Sequence, residues 1–267
     1  MTSYTAMPSD GSAWVTGASS GIGRALALAL AGEGFTVYAT ARGEDALAEL
    51  ERQSAGLKGK IIAAPGDVTD AGAMEALAGR VDAEGNGLAL AVFNAGVYLP
   101  VHGETLKVAD FDKSFSVNLS GVVNGLVPAI ARMKMRGRGQ IAVVSSVTGY
   151  GGMPTSAAYG ATKAALINMA ESLKFDLDKI GVRIQVINPG FVDTPATADN
   201  AFTMPALVQP DEAARRIARG LKSGSFEITF PRRFTYVLKA LQLMPYPAYF
   251  AVMNAATGWK KRPLESQ

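Results

Sequence analysis

The strongest constraint on the fold is a pattern that repeats along most of the chain: a short apolar run, then a longer stretch of helical character. Residues 13–15 lead to 22–31, residues 35–39 to 44–52, residues 61–64 to 71–80, and residues 88–93 to a long stretch from about 109 to 135. Residues 141–144 then lead to 157–177, residues 183–187 to 211–221, and residues 226–230 make a seventh strand. Strands this short and this continuously apolar are buried on both faces, as in a parallel sheet covered by helices. The alternation predicts an α/β fold, a doubly wound parallel seven-stranded sheet with helices on both faces and right-handed crossovers. Ligands of such sheets bind beyond the carboxyl ends of the strands. No linker divides the chain. Residues 1–267 read as one domain, with the doubly wound core at 11–230 and an apolar C-terminal extension at 231–267.

Composition removes whole classes of chemistry. With no cysteine, thiol catalysis, disulfides and cysteine-held metals are excluded, and the single histidine, His102, argues against a zinc site built on imidazoles. Of the 267 residues 48% are hydrophobic and 18% charged, which is enough for a full core and too apolar for disorder. The net charge is +3 with Lys and Arg scattered along most of the chain, so no nucleic-acid partner is expected. The N-terminal segment has neither a basic nor an apolar leader region, and a cytoplasmic protein is the expectation.

The first strand runs into Thr16-Gly17-Ala18-Ser19-Ser20-Gly21-Ile22-Gly23. Glycines permit a tight turn and a close approach of backbone to a diphosphate. The helix that starts near Ile22 offers free N–H groups and a positive dipole end to the phosphates. A strand, a glycine turn and a helix at the head of a βαβ unit form the context that a dinucleotide site requires. The second strand selects the dinucleotide. An NAD site carries Asp or Glu at that strand's end, about 20 residues past the glycines, to bind the ribose hydroxyls. Here Tyr38-Ala39-Thr40-Ala41-Arg42 has no carboxylate and supplies a guanidinium suited to a 2′-phosphate. NADP(H) is the expected cofactor, with Arg24 as a candidate second contact. An NAD-dependent alcohol dehydrogenase is the alternative.

The spacing Gly-x-x-x-Gly-x-Gly resembles the glycine motif of the short-chain dehydrogenase/reductase family, and further motifs carry the resemblance from about residue 10 to residue 230. The resemblance implies a Rossmann-type fold in which Gly17, Ser19, Ser20, Gly21 and Ile22 cradle the diphosphate. It implies that Asp67 accepts from the adenine amino group with the backbone of Val68 assisting, which leaves Asp70 as the N-cap of the third helix. Asn94-Ala95-Gly96 is similar to the end of the family's Asn-Asn-Ala-Gly motif, with Phe93 in place of the first Asn. Pro189 and Gly190, followed by Val192 and Thr194, resemble the segment that meets the nicotinamide carboxamide.

Tyr159-Gly160-Ala161-Thr162-Lys163 lies in a helical stretch, and its four-residue separation puts both side chains on one face. A phenol of ordinary pKa near 10 is a poor base at neutral pH, and a nearby ammonium favours the phenolate. Ser146 precedes Tyr159 by thirteen residues, the family's interval. The resemblance implies that Tyr159 is the acid/base, that Lys163 binds the nicotinamide ribose and tunes Tyr159, and that Ser146 donates to the substrate carbonyl oxygen. It implies that the carboxamide of Asn118 holds a water linking Lys163 to solvent. The reaction implied is reversible hydride transfer between NADP(H) and a carbonyl or secondary alcohol. A non-catalytic NADP(H)-binding sensor is the alternative from another class, and it would not need this proton-transfer set.

The substrate side is less explicit. Residues 195–209 have few charges and read as a lid over an apolar pocket, with Tyr98, Leu99, Met153 and Phe202 as candidate walls and His102 as a solvated loop residue. An apolar ketone, aldehyde or secondary alcohol is expected. The tail from residue 232 to 256 is apolar but interrupted by Lys239, Gln242 and two prolines, which argues against a transmembrane helix. A flap over the pocket or an oligomer contact is its plain reading. Peripheral membrane contact through its aromatics and basic residues is the second. The family resemblance implies a homodimer or homotetramer formed through the long fourth and fifth helices.

Overall fold

A computed structural model describes residues 4–197 and 204–264. Seven parallel strands form one sheet in the order β3-β2-β1-β4-β5-β6-β7. They are β1 (Ser12–Thr16), β2 (Thr36–Thr40), β3 (Lys60–Ala63), β4 (Leu88–Phe93), β5 (Gly139–Val144), β6 (Val182–Pro189) and β7 (Glu227–Phe230). The order reverses between β1 and β4, so the crevice for a ligand opens above the carboxyl ends of these two strands. This is the doubly wound, Rossmann-like arrangement that the repeating pattern predicts.

Alternation along each strand sends side chains into two cores. Ala13, Val15, Leu90 and Val92 enter the core under helices α1 (Gly21–Glu33), α2 (Glu44–Gln53) and α7 (Pro210–Leu221). Trp14, Tyr38, Ala91 and Phe93 point the other way, toward α3 (Ala71–Glu84), α5 (Gly121–Arg136) and α6 (Ala157–Leu177). Both faces are covered, which is why the strands are apolar at every position rather than at every second one.

Two features depart from the sequence reading. The stretch expected as one long helix is α4 (Val108–Phe115), a π-helical turn (Ser116–Ser120) and α5. One extra residue in a turn leaves the overall helical pattern intact, so hydrophobic spacing does not reveal it. The tail is two helices, α8 (Arg232–Leu241) and α9 (Tyr246–Thr257). Among the described residues one helical run, 108–136, has the length and apolarity to cross a membrane. Its Val122, Leu126, Ala129 and Met133 are buried in the second core.

Candidate active site

The glycine turn is fixed from behind by β4. The amide of Asn94 donates to Thr16 O and Gly17 O, both at 3.1 Å, and Thr16 Oγ1 accepts from the backbone of Asn94 at 3.0 Å and of Ala95 at 3.2 Å. The packing explains the glycines. A Cβ on Gly17, whose φ is +66°, would lie 2.7 Å from Ala95 Cα, and one on Gly23 would lie 2.4 Å from Asn94 Nδ2. Asn94 is therefore a brace for the turn, a role that sequence spacing does not disclose. The departure at Phe93 is also accounted for: its ring meets Trp14 edge-on at 5.8 Å and packs into space left by Gly125.

One large cavity of about 890 Å³ runs over the strand ends. At one end it is lined by Arg42, Asp67 and Val68, in the middle by Ser19, Ser20, Gly21 and Ile22, and beyond β4 by Asn94, Ala95 and Gly96. Arg42 is exposed at its rim. Asp67 Oδ1 accepts from the Thr69 amide at 2.9 Å and the Thr69 hydroxyl at 2.8 Å, and these bonds hold its carboxyl below the usual range, with Arg42 assisting. Asp70 is the N-cap of α3, accepting from Ala73 N at 2.9 Å. Two residues not singled out from sequence belong here: Lys113 lines the cavity, and Asn124 holds the Val68 carbonyl at 2.9 Å. Arg24 is not part of the lining, because its guanidinium reaches Gln53 Oε1 at 2.5 Å instead.

Ser146, Tyr159 and Lys163 converge on the cavity floor. Ser146 Oγ accepts from Thr148 N at 3.2 Å and is hydrogen-bonded to the Tyr159 phenol. Lys163 is buried, donates to Val144 O at 2.9 Å, and holds its ammonium 5.3 Å from the centre of the Tyr159 ring. Ser145 ties down the same helix, donating to Lys163 O at 2.7 Å. The electrostatics correct a simple expectation. Burial pushes the Tyr159 phenol up to about 12, more than the Ser146 hydrogen bond lowers it, and pulls Lys163 down to about 8. Desolvation penalises both charged forms, so Tyr159 is held as a neutral acid despite the nearby amine.

Asn118 sits on the π turn, fully buried. Its Oδ1 accepts from Val97 N at 2.7 Å, while Nδ2 donates to Val97 O at 2.9 Å and Thr162 Oγ1 at 3.3 Å. The carboxamide thus clamps the backbone next to Gly96 to α6. Tyr98 adds an unforeseen contact: its ring meets Tyr159 edge-on at 5.2 Å and its hydroxyl bonds Thr155 Oγ1 at 2.8 Å.

Pro189, Gly190, Val192 and Thr194 line the cavity after β6, and Thr194 N donates to Thr197 Oγ1 at 3.1 Å. Of the expected walls, Tyr98 and Met153 line the cavity, Leu99 does not, and Phe202 lies outside the described residues, as do 198–203 of the expected lid. The tail supplies most of the remaining wall: Phe234, Leu238 and Leu241 from α8, Met253 and Ala256 from α9, then Trp259. His102 is not merely solvated, since its ring stacks on Trp259 at 5.9 Å. The lining of the cavity as a whole is predominantly apolar.

Known proteins share the family pattern and the fold. The sequence pattern described as short chain dehydrogenase matches residues 12–204. A Myxococcus xanthus protein described as an uncharacterized oxidoreductase is 37% identical over 241 residues, covering 90% of this chain and 94% of its own length. The crystal structure of a 3-ketoacyl-ACP reductase from Sinorhizobium meliloti superposes with a TM-score of 0.73 at 30% identity, over 82% of this chain and 96% of that one. A short chain dehydrogenase from Burkholderia cenocepacia, crystallised in complex with NADP, gives 0.74 at 27% identity, over 82% and 95%. The matched pattern and the shared fold place the chain among known proteins, and it is an oxidoreductase of the short-chain dehydrogenase/reductase family.

Proposed function

We propose that the protein is an NADP(H)-dependent reductase or dehydrogenase acting on an apolar ketone, aldehyde or secondary alcohol. The observation that carries this reading is one continuous cavity with Arg42 at one end, the serine–tyrosine–lysine cluster at its floor and an apolar wall beyond. The residues present fit a dinucleotide: backbone crowds the glycine turn so closely that no side chain could occupy Gly17, which leaves its N–H face open to a diphosphate. Arg42 would pair with the 2′-phosphate, Asp67 and the Val68 backbone with the adenine, and Val192 and Thr194 with the carboxamide. When bound, the nicotinamide supplies or accepts the hydride at the carbonyl carbon.

The protein's own contribution is proton transfer and orientation. Ser146 donates to the substrate oxygen and offsets the charge that develops on it. Tyr159, neutral across the physiological range, gives its proton to that same oxygen during reduction. Lys163 provides positive charge beside the phenolate that results and grips the ribose. Asn118 and Tyr98 keep Val97 and the Tyr159 ring in position. A non-catalytic sensor would have no use for this cluster at the end of an apolar cavity.

The test is NADPH consumption against a panel of apolar aldehydes and ketones. Turnover that rises with chain length or ring size supports the reading. NADPH binding with no turnover on any member, or turnover confined to small charged carbonyls, contradicts it. We also infer a homo-oligomer through α5 and α6, where Val127, Met135 and Phe175 are large, apolar and exposed. Sedimentation velocity showing only monomer would contradict that inference.

A further inference from the structure

The C-terminal helices do more than wall the cavity. Their outer side leaves Leu243 88% and Tyr246 77% exposed, with Phe250 and Tyr236 more than half exposed as well. Tyr246 and Phe250 stand one helical turn apart, their rings stacked at 6.1 Å, so they form one apolar ridge on α9, and Leu243 stands in the turn just before it. Isolated exposed apolar residues need no explanation, but a cluster of this size marks an interaction surface.

Charge selects the partner. Residues 231–264 carry Arg232, Arg233, Lys260, Lys261 and Arg262, besides Lys239 paired to Glu227, and not one Asp or Glu, although the whole chain nets only +3. A two-fold contact with a second copy would bring these like charges together across the interface. An acidic protein would meet the cations but leave the Leu243–Tyr246–Phe250 ridge wet. An anionic bilayer satisfies both, with aromatics at the headgroup level and Lys and Arg on the phosphates.

Val237 and Val252 both line the cavity and are themselves exposed, so the α8–α9 wall that carries the apolar ridge also borders the cavity. We propose that α8, α9 and the following residues dock on an anionic lipid surface, with this wall of the cavity turned to the lipid. The docking rests only on this face; its use, loading an apolar substrate from the bilayer, rests on the function proposed above. Binding is therefore measured without turnover, so that the failure of one is distinguishable from the failure of the other.

The experiment is sedimentation of the full chain with vesicles of phosphatidylcholine alone or mixed with phosphatidylglycerol. The mixed vesicles are expected to pull the protein down at low salt, and added salt to release it. Lys260→Glu with Lys261→Glu should weaken binding by roughly tenfold or more, since each basic residue near such a surface is worth about fivefold. Leu243→Ser with Tyr246→Ser and Phe250→Ser should abolish it, at an unchanged melting temperature. Brominated phosphatidylglycerol should quench Trp259, which follows α9 and lines the cavity, while Trp14 is buried in the sheet. No sedimentation, sedimentation indifferent to the triple substitution, absence of quenching, or a dimer that the triple substitution dissociates would each overturn the proposal.

Discussion

At the scale of single residues the site is governed by the cost of burying charge. Tyr159 and Lys163 stand together where water is scarce, and each is driven toward its neutral form. For a proton donor this is useful in one case and limiting in the other. The phenol keeps its proton until about pH 12, so it is ready to give it up at any working pH. The ammonium is present below about pH 8 and is lost above it. Reduction should therefore be level on the acid side and decline as pH rises through about 8, read as kcat/KM against pH. A profile still flat at pH 9.5 would show that Lys163 keeps its proton or is not needed. At the other end of the cavity, Arg42 is the residue proposed to select the cofactor. Arg42→Asp should weaken NADPH by about 10- to 100-fold, the worth of a hydrogen bond between charged groups, and leave NADH equal or better. Equal titrations of NADPH in both proteins would remove Arg42 from the site.

At the scale of elements, α8 is tied to the core through one carboxylate. Glu227 on β7 accepts from the Tyr150 hydroxyl, from Asn188 Nδ2 at 2.6 Å and from Lys239 Nζ on α8 at 2.5 Å. Burial would raise its pKa, but these donors outweigh burial and hold it below the usual range. The sign follows: its stabilisation is complete above the ordinary carboxylate range and is lost as pH falls through the depressed value. Glu227→Gln should cost about 1–2 kcal/mol in urea unfolding at pH 7 and make α8 and α9 more open to proteases. At acid pH the two proteins should converge. A difference that persists unchanged at pH 3 would contradict the assignment. α9 has its own tie, Tyr249 OH to Gly152 O at 2.7 Å.

In the core, element boundaries were legible to within a few residues. The span 157–177 of α6 follows from its Ala-rich pattern, whereas the left-handed glycines that close α1 at Gly34 and α5 at Gly137 lie two or three residues past the ends read from the sequence. The π turn at Ser116–Ser120 was not legible, because five residues of altered hydrogen bonding leave the apolar stripe nearly unchanged. The role of Asn118 depends on that turn, and so it too was readable only as a position, not as a clamp on Val97. Gly125 illustrates the same limit: its smallness answers the Phe93 ring on the opposing strand, a contact between residues 32 apart that no local pattern contains.

At the scale of the molecule, strand ends, a helix and a tail from three parts of the chain enclose one cavity. Gly17, Asn94, Ser146 and Pro189 stand at or just past strand ends, where doubly wound sheets present ligands, and it was the family resemblance that singled them out from their neighbours. The wall from Phe234 to Trp259 was not legible, because how an apolar extension folds back depends on partners such as Glu227 and His102. The enclosure makes one claim central: a single phenol at the junction of the polar and apolar halves moves the proton. The direct measurement is steady-state turnover of Tyr159→Phe beside NADPH binding by fluorescence. The account predicts a fall in kcat of about 10²- to 10⁴-fold, the usual worth of a positioned acid, with NADPH affinity unchanged. Turnover comparable to that of the unaltered protein would contradict it.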